Sequence, residues 1–232
     1  MTESTASRAA PARARPRRAD KARPYHHGSL PEALLQAAEI VLKRDGLRGL
    51  TLRAIAREAG VSHTAPQHHF GDIAGVLSDL AAAGHRRLAN EMEEQARSAA
   101  PGKPRRKATA HGYIDFAIGH PDLFRLMSRN ELLDSERPSL VEARQISARA
   151  LAGVFDAVTK SHQEGGPEAG PFAGIDTAQA IAITAAWAYV HGLATLLVDH
   201  RLDDVARAAP DFSDARALVE AAVDGMKMVP DA

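Results

Sequence analysis

The sequence predicts an all-α protein: an N-terminal three-helix helix-turn-helix head followed by a larger helical body. Three observations lead there. Apolar residues make up 45% of the chain and aromatics only 4%, with alanine and leucine plentiful. That mix favours helices, because alanine and straight-chain residues lose least on entering one. No run of alternating β-branched residues marks a strand. Finally, in TLRAIAREAGVSHTAPQHHFGD (51–72) a small residue, Ala56, precedes a turn glycine, Gly60, by four places. A small residue lets two helices pack closely, and the glycine lets the chain reverse sharply between them.

Residues 1–24 carry Arg8, Arg13, Arg15, Arg17, Arg18, Lys21 and Arg23 against Glu3 and Asp20. An arm so basic and so rich in proline and alanine has no core to bury and is expected to be disordered. It reads either as a solubilising tail or as an arm that reaches DNA, and it lacks the apolar stretch of a secretory signal. The head is expected over 25–72. Its first helix opens at SLPE, where Ser29 and Glu32 have the spacing of a capping box. Leu34, Leu35, Ala38, Val41 and Leu42 form its core face, and Gly46 and Gly49 punctuate its end. Thr51 caps a second helix, LRAIAREA, which Gly60 ends in a left-handed turn. Pro66 is tolerated only in a first turn, so the third helix starts near His63 or Thr64 and stops near Phe70.

A linking helix is expected over 73–100, with Val76, Leu77, Leu80, Gly84 and Leu88 on one side. The basic loop PGKPRRK (101–107) then opens the body, 101–232. There the pattern predicts helices at about 106–119, at HPDLFRLM (120–127) restarting at Pro121, and at about 136–161. A glycine- and proline-rich loop (162–174), an uncharged helix, a loop around RAAPDF (207–212) and a last helix capped by Ser213 complete it. That last helix carries Leu218, Val219, Ala222, Val223 and Met226 on its apolar side.

Several function classes lose support at this level. The chain has no cysteine, no GxSxG, no glycine-rich phosphate loop and no HExxH pair, so nothing points to an enzyme or a bound cofactor. The absence of cysteine fits a reducing, cytoplasmic setting. The stretch from Thr177 to Val198 is long enough to cross a bilayer, but Gln179, Thr184, His191, Thr195 and many alanines leave it only mildly apolar. A buried core or subunit-interface helix is the better reading, with no membrane partner. His68 and His69, with His63 nearby and His26 and His27 upstream, invite a metal reading. However, adjacent helical residues point to different faces and no cysteine or carboxylate completes a tetrahedral set. The alternative places one of them in the core and the others facing solvent or DNA, and no metal is expected.

YHHGSLPEALLQAAEIVLKRDGLRGLTLRAIAREAGVSHTAPQHHFGD (25–72) resembles the DNA-binding domain of TetR-type (tetracycline repressor family) transcriptional regulators. FAIGHPDLFRLM (116–127) and WAYVHGL (187–193) resemble a subgroup of their C-terminal domains marked by Trp-His-Gly, here Trp187, His191 and Gly192. The resemblance implies a homodimer that binds double-stranded DNA at a palindromic operator. It also implies a small-molecule effector that typically releases the operator.

Matching positions make Ser62, His63 and Thr64 groove-facing candidates, with Gln67 and His68 next along the exposed side. Gln, Ser and Thr read base edges, and a neutral His donates or accepts one bond. Arg53 and Arg57 on the second helix are the phosphate candidates. Two departures stand out. The family usually carries Tyr at the position of Gln67 and often Lys at that of Ile73, and both usual residues touch phosphate. Such contacts supply most of the affinity, so grip weakens here and the basic arm is a candidate to compensate through the minor groove. A protein that kept ligand or partner binding but lost DNA recognition is the alternative reading. Trp187 and His191 also have two readings: a core tryptophan with a satisfied buried histidine, or an effector pocket shared with Phe116, Phe124 and Met127.

Overall fold

The computed structural model describes residues 29–100, 103–152, 170 and 172–225. Among the described residues there is no strand. The helices are α1 (Leu30–Gly49), α2 (Leu52–Ala59), α3 (Ala65–Phe70), α4 (Ile73–Arg97), α5 (Lys103–Gly119), α6 (Pro121–Met127), α7 (Pro138–Ala152), α8 (Thr177–Val198), α9 (Asp203–Ala208) and α10 (Ala215–Gly225). The basic arm, Met226, the far end of the helix expected at 136–161 and most of the loop expected at 162–174 lie outside the described residues.

The 25-residue α4 organises the molecule. It packs most extensively against α5 and α7, and also meets α6, α1 and α3. Val76, Leu80, Leu88 and Met92 recur at helical spacing and are fully or nearly fully buried. Two glycines set how closely its neighbours approach. A Cβ at Gly84 would lie 2.6 Å from the Met127 sulfur, and one at Gly112 of α5 would lie 2.6 Å from the Glu91 carbonyl oxygen. The α4–α5 contact is therefore backbone against backbone, closer than any side chain permits. A single core cluster runs from Leu34 and Ile55 in the head through Leu80 to Phe124 and Val219 in the body.

Polar ties complete the join between head and body. Arg137, just before α7, donates to both carboxylate oxygens of Asp79 on α4 at 2.9 and 2.7 Å, and to the Phe70 carbonyl at 3.4 Å. That carbonyl closes the C-terminus of α3. Arg87 of α4 grips Glu39 of α1 with two bonds of 2.7 Å, and this bonding holds the Glu39 carboxyl down at about 2. A fork of two charge-assisted bonds fixes orientation as well as distance.

Several local expectations need correction. Ser29 stands at the α1 N-cap, yet its side chain makes no capping bond. Pro31 removes one of the two N–H groups that a cap normally uses. A complete capping box forms instead at α8, where Asp176 accepts from the Gln179 N–H at 2.8 Å and the Gln179 side chain accepts from the Asp176 N–H at 3.0 Å. The loop expected around 207–212 is preceded by a short helix, α9, and ends in Asp214 rather than Ser213 as the cap of α10, accepting from Ala217 N–H at 2.8 Å. The pattern missed α9 because only Ala206 of its six residues is buried, which leaves no apolar stripe to detect.

Candidate functional site

At one end of the molecule, the head presents a short exposed helix. Thr51 caps α2 by accepting from the Ala54 N–H at 3.1 Å. Gly60 then takes φ 69° and ψ 30°, the left-handed conformation that glycine adopts at little cost. The Val61 N–H returns to the Ala56 carbonyl at 3.0 Å and closes the turn. Pro66 falls in the first turn of α3, and its ring, like that of Phe70, is buried against the head. Those two apolar anchors fix which face of α3 points outward.

On that outward face, His63, Gln67, His68 and His69 are all exposed. None of His63, His68 and His69 enters the core, because Pro66 and Phe70 already fill the inward positions, and His26 and His27 lie outside the described residues. No cluster of three or more metal-ligating side chains occurs among the described residues. Ser62 and Thr64 share a hydrogen bond of 3.0 Å between their hydroxyls, and the Thr64 N–H adds a bond of 3.4 Å to the Ser62 oxygen. One hydroxyl hydrogen of the pair thus remains for an outside acceptor. Arg53 and Arg57 stand exposed four residues apart on one face of α2. Arg44, by contrast, is occupied by Glu58 at 2.7 Å and by Asp45. Ile73 is partly buried against the core, which explains an apolar residue at the first position of α4.

In the body, a cavity of about 730 Å³ opens between helices. Its wall takes His85, Leu88 and Met92 from α4, Tyr113 from α5, Phe124 and Met127 from α6, Arg144 and Ser147 from α7, and Trp187 and His191 from α8. Phe124, Met127, Trp187 and His191 were expected here from the sequence. Phe116 was too, but it is fully buried and lies against the His120 ring, with centroids 5.3 Å apart. Three residues from Tyr113, it is rotated about 60° around the α5 axis, which carries it off the cavity wall. Trp187 is not a core residue, being half exposed, and nothing within 4 Å would meet a side chain at Gly192. No other helix among the described residues therefore uses the close approach that Gly192 allows.

The polar groups of the wall are mostly paired with each other. Tyr113 and His191 share a bond of 2.8 Å between the hydroxyl and Nδ1. Burial pushes the Tyr113 hydroxyl up to about 12 and pulls His191 below the usual histidine range. His85 Nδ1 lies 2.9 Å from Ser147 Oγ, whose hydroxyl also donates to the Arg144 carbonyl at 3.1 Å. A hydroxyl has a single hydrogen, so the two bonds together make His85 Nδ1 the donor and leave Nε2 as a lone-pair acceptor. That Nε2 is buried without a partner. Burial, with help from the Arg144 charge, holds His85 down at about 4. Both histidines are thus neutral near pH 7. Sequence reasoning missed His85, Tyr113, Arg144 and Ser147, which meet only through separations such as the 62 residues between His85 and Ser147.

Two family models match the chain. "Bacterial regulatory proteins, tetR family" matches residues 34–80, and "Tetracyclin repressor-like, C-terminal domain" matches residues 107–226. No curated protein matches the sequence. A Rhodococcus sp. RHA1 structure described as a protein with unknown function is 36% identical over 87% of this chain and 95% of its own, with a TM-score of 0.62. FadR from Bacillus subtilis in complex with stearoyl-CoA is 18% identical over 83% and 95%, with a TM-score of 0.56. The regulator PfmR from Thermus thermophilus is 18% identical over 82% and 94%, with a TM-score of 0.53. The last two are similar in fold alone. With its recognition-helix head and its helical body both matched, the chain belongs to the TetR family of bacterial transcriptional regulators.

Proposed function

We propose that this regulator is a homodimeric repressor that reads a palindromic operator and is released from it by a small, mainly apolar effector. One observation carries the reading. The N-terminus of α4 follows directly on α3, and the middle of the same helix walls the cavity through His85, Leu88 and Met92. A ligand that shifts this one element moves the reading head, and its preference for one head position sets the loss of operator affinity.

Arg53 and Arg57 are assigned to phosphate, and Ser62, His63, Thr64, Gln67 and His68 to the groove. The arm supplements them. The effector lies in the cavity beside Phe124, Met127, Trp187 and His191. The body belongs to the Trp-His-Gly subgroup, on the strength of Trp187, His191 and Gly192. The molecule divides as arm (1–24), head (25–72), linking helix (73–100) and body (101–232). A DNA-reading protein of this kind works in the cytoplasm, and no membrane partner is assigned.

The dimer face is α8 together with α10. The residues Ala178, Ile181, Ala185 and Ala188 form a small, uncharged stripe along α8 that is exposed in the single chain, with Ile181 64% exposed. A long helix with no charge and so much open surface fits a copy of itself better than water. Two heads on a two-fold axis then meet successive major grooves, roughly 34–36 Å apart.

The test is selection from a random DNA duplex pool with the full-length chain at moderate salt. A palindromic motif with half-sites about one turn apart is expected. A well-folded dimer that enriches no sequence would overturn the operator reading. It would favour the alternative of a ligand- or partner-binding protein that has lost DNA recognition.

A further inference from the structure

The cavity wall identifies the effector's chemical class, an inference that rests on reading the cavity as the effector site. Among the described residues of the wall there is no Asp or Glu, and the single permanent charge is the Arg144 guanidinium. Its Nη2 donates to the Asn130 side-chain oxygen at 2.6 Å, a neutral partner. Nearby arginines behave differently. Arg86 meets Glu142 at 3.0 Å, Arg125 meets Asp199 at 3.1 Å, and Arg137 meets Asp79 at 2.7 Å. Arg144 forms no ion pair among the described residues although it is only partly exposed. His85 and His191 are neutral and add no charge of either sign. The rest of the wall is mainly Leu88, Met92, Phe124, Met127, Leu151 and Trp187.

We propose that the effector is an amphipathic monocarboxylate, its acid group on Arg144 and its apolar body against the Leu88–Met92 side of α4 and the rings of Phe124 and Trp187. A guanidinium with no carboxylate partner among the described residues, set beside apolar surface, favours an anion, because a carboxylate can take two of its donors in a matched fork. The volume of the cavity is in the range that holds a drug-sized molecule. A neutral apolar molecule leaves the guanidinium uncompensated, and a cation meets it with repulsion.

Trp187 is the sole tryptophan of the chain and lies in the wall, so its emission reports occupancy without DNA. The full-length protein is titrated with sodium decanoate and with 1-decanol, and separately with Nile red as a neutral apolar probe. Decanoate is expected to change the emission saturably and to bind at least about tenfold more tightly than decanol. Arg144→Gln should abolish that preference by weakening decanoate alone, and Arg144→Lys should restore part of it. Equal affinity for the two ligands overturns the proposal, as does a preference that survives Arg144→Gln. Nile red that binds but is not displaced by decanoate overturns the anionic class and leaves the effector site standing. If no probe binds, the effector-site reading falls and this inference falls with it.

Discussion

In the head, the side chains of His63, Gln67 and His68 stand in water with no hydrogen bond to another described residue, whereas in the body Tyr113 is bonded to His191 and His85 to Ser147. The two regions face opposite constraints. An exposed polar group is solvated until DNA arrives, so it can wait unpaired on the surface. An enclosed polar group must find a partner within the fold, since leaving it unpaired costs roughly 1–3 kcal/mol. The Arg144 charge, which meets only the neutral Asn130 among the described residues, and the buried His85 Nε2 acceptor therefore carry more information about a ligand than any exposed side chain of the head.

The largest effect is expected where packing supports the body. Gly112→Val pushes a side chain into the α4 backbone, which cannot move aside as a flexible chain end would. It should lower stability by about 3 kcal/mol or more in denaturant unfolding. Gly60→Ala in the head meets no neighbouring atom and bears only the left-handed backbone strain, about 1 kcal/mol. Similar losses for the two variants would mean that the α4–α5 approach is looser than it looks.

The buried His85 makes stability depend on pH in the body. His85 takes a proton at about 4 in the fold against an ordinary value near 6.5. Its folded value is depressed, so between those limits the unfolded chain binds the proton and the native state does not. Stability is then fully present above pH 6.5 and declines as the pH falls toward 4, by up to about 3 kcal/mol. Burial shifts His191 and His120 the same way and adds to the decline. Unfolding curves measured along this pH range should flatten in His85→Gln. An unchanged slope would place the decline elsewhere.

The join between the regions is a third point of attack. Arg137→Gln leaves Asp79 without its cation and frees the Phe70 carbonyl. Both side chains of the pair retain some exposure, 21% and 16%, so a loss of about 2 kcal/mol is expected rather than the larger cost of a fully buried pair. In the same variant, effector should release operator less well, measured as the ratio of DNA affinities with and without ligand. A full response would show that coupling runs through α4 alone.

The smallest effects belong to the head itself. Gln67→Tyr with Ile73→Lys should tighten DNA binding and steepen its salt dependence by about one unit of slope per new phosphate contact. Ile73 is partly buried, so the Lys variant also loses a little stability. Deleting residues 1–24 should weaken operator binding at physiological salt. No change in affinity would remove the arm from the interface.

Much of the head was legible because its determinants are local. The cap at Thr51, the glycine turn at Gly60, and Pro66 in a first turn each act within a few residues, and each is found where it was expected. The family resemblance of the head rested on that same compact stretch, and that of the body on residues 116–127 and 187–193. The cavity was legible only in part. Phe124, Met127, Trp187 and His191 came from their motifs, while Phe116 was misplaced because an apolar residue on a core helix does not announce which space it faces. The direction is settled by the rotation of α5 against α4 and α6.

From the sequence alone came the helical fold and the helix-turn-helix, which depend on residue type and short-range spacing; the expectation of weakened phosphate contacts came from the family resemblance, through Gln67 and Ile73. Tertiary structure decided that Arg144 meets no acid among the described residues, that His85 is neutral with an idle nitrogen, and that Arg137 ties the reading helix to the body. Each of these is a property of neighbours brought together from distant parts of the chain. Charge, protonation and strain depend on what surrounds a group, and only the folded chain sets those surroundings.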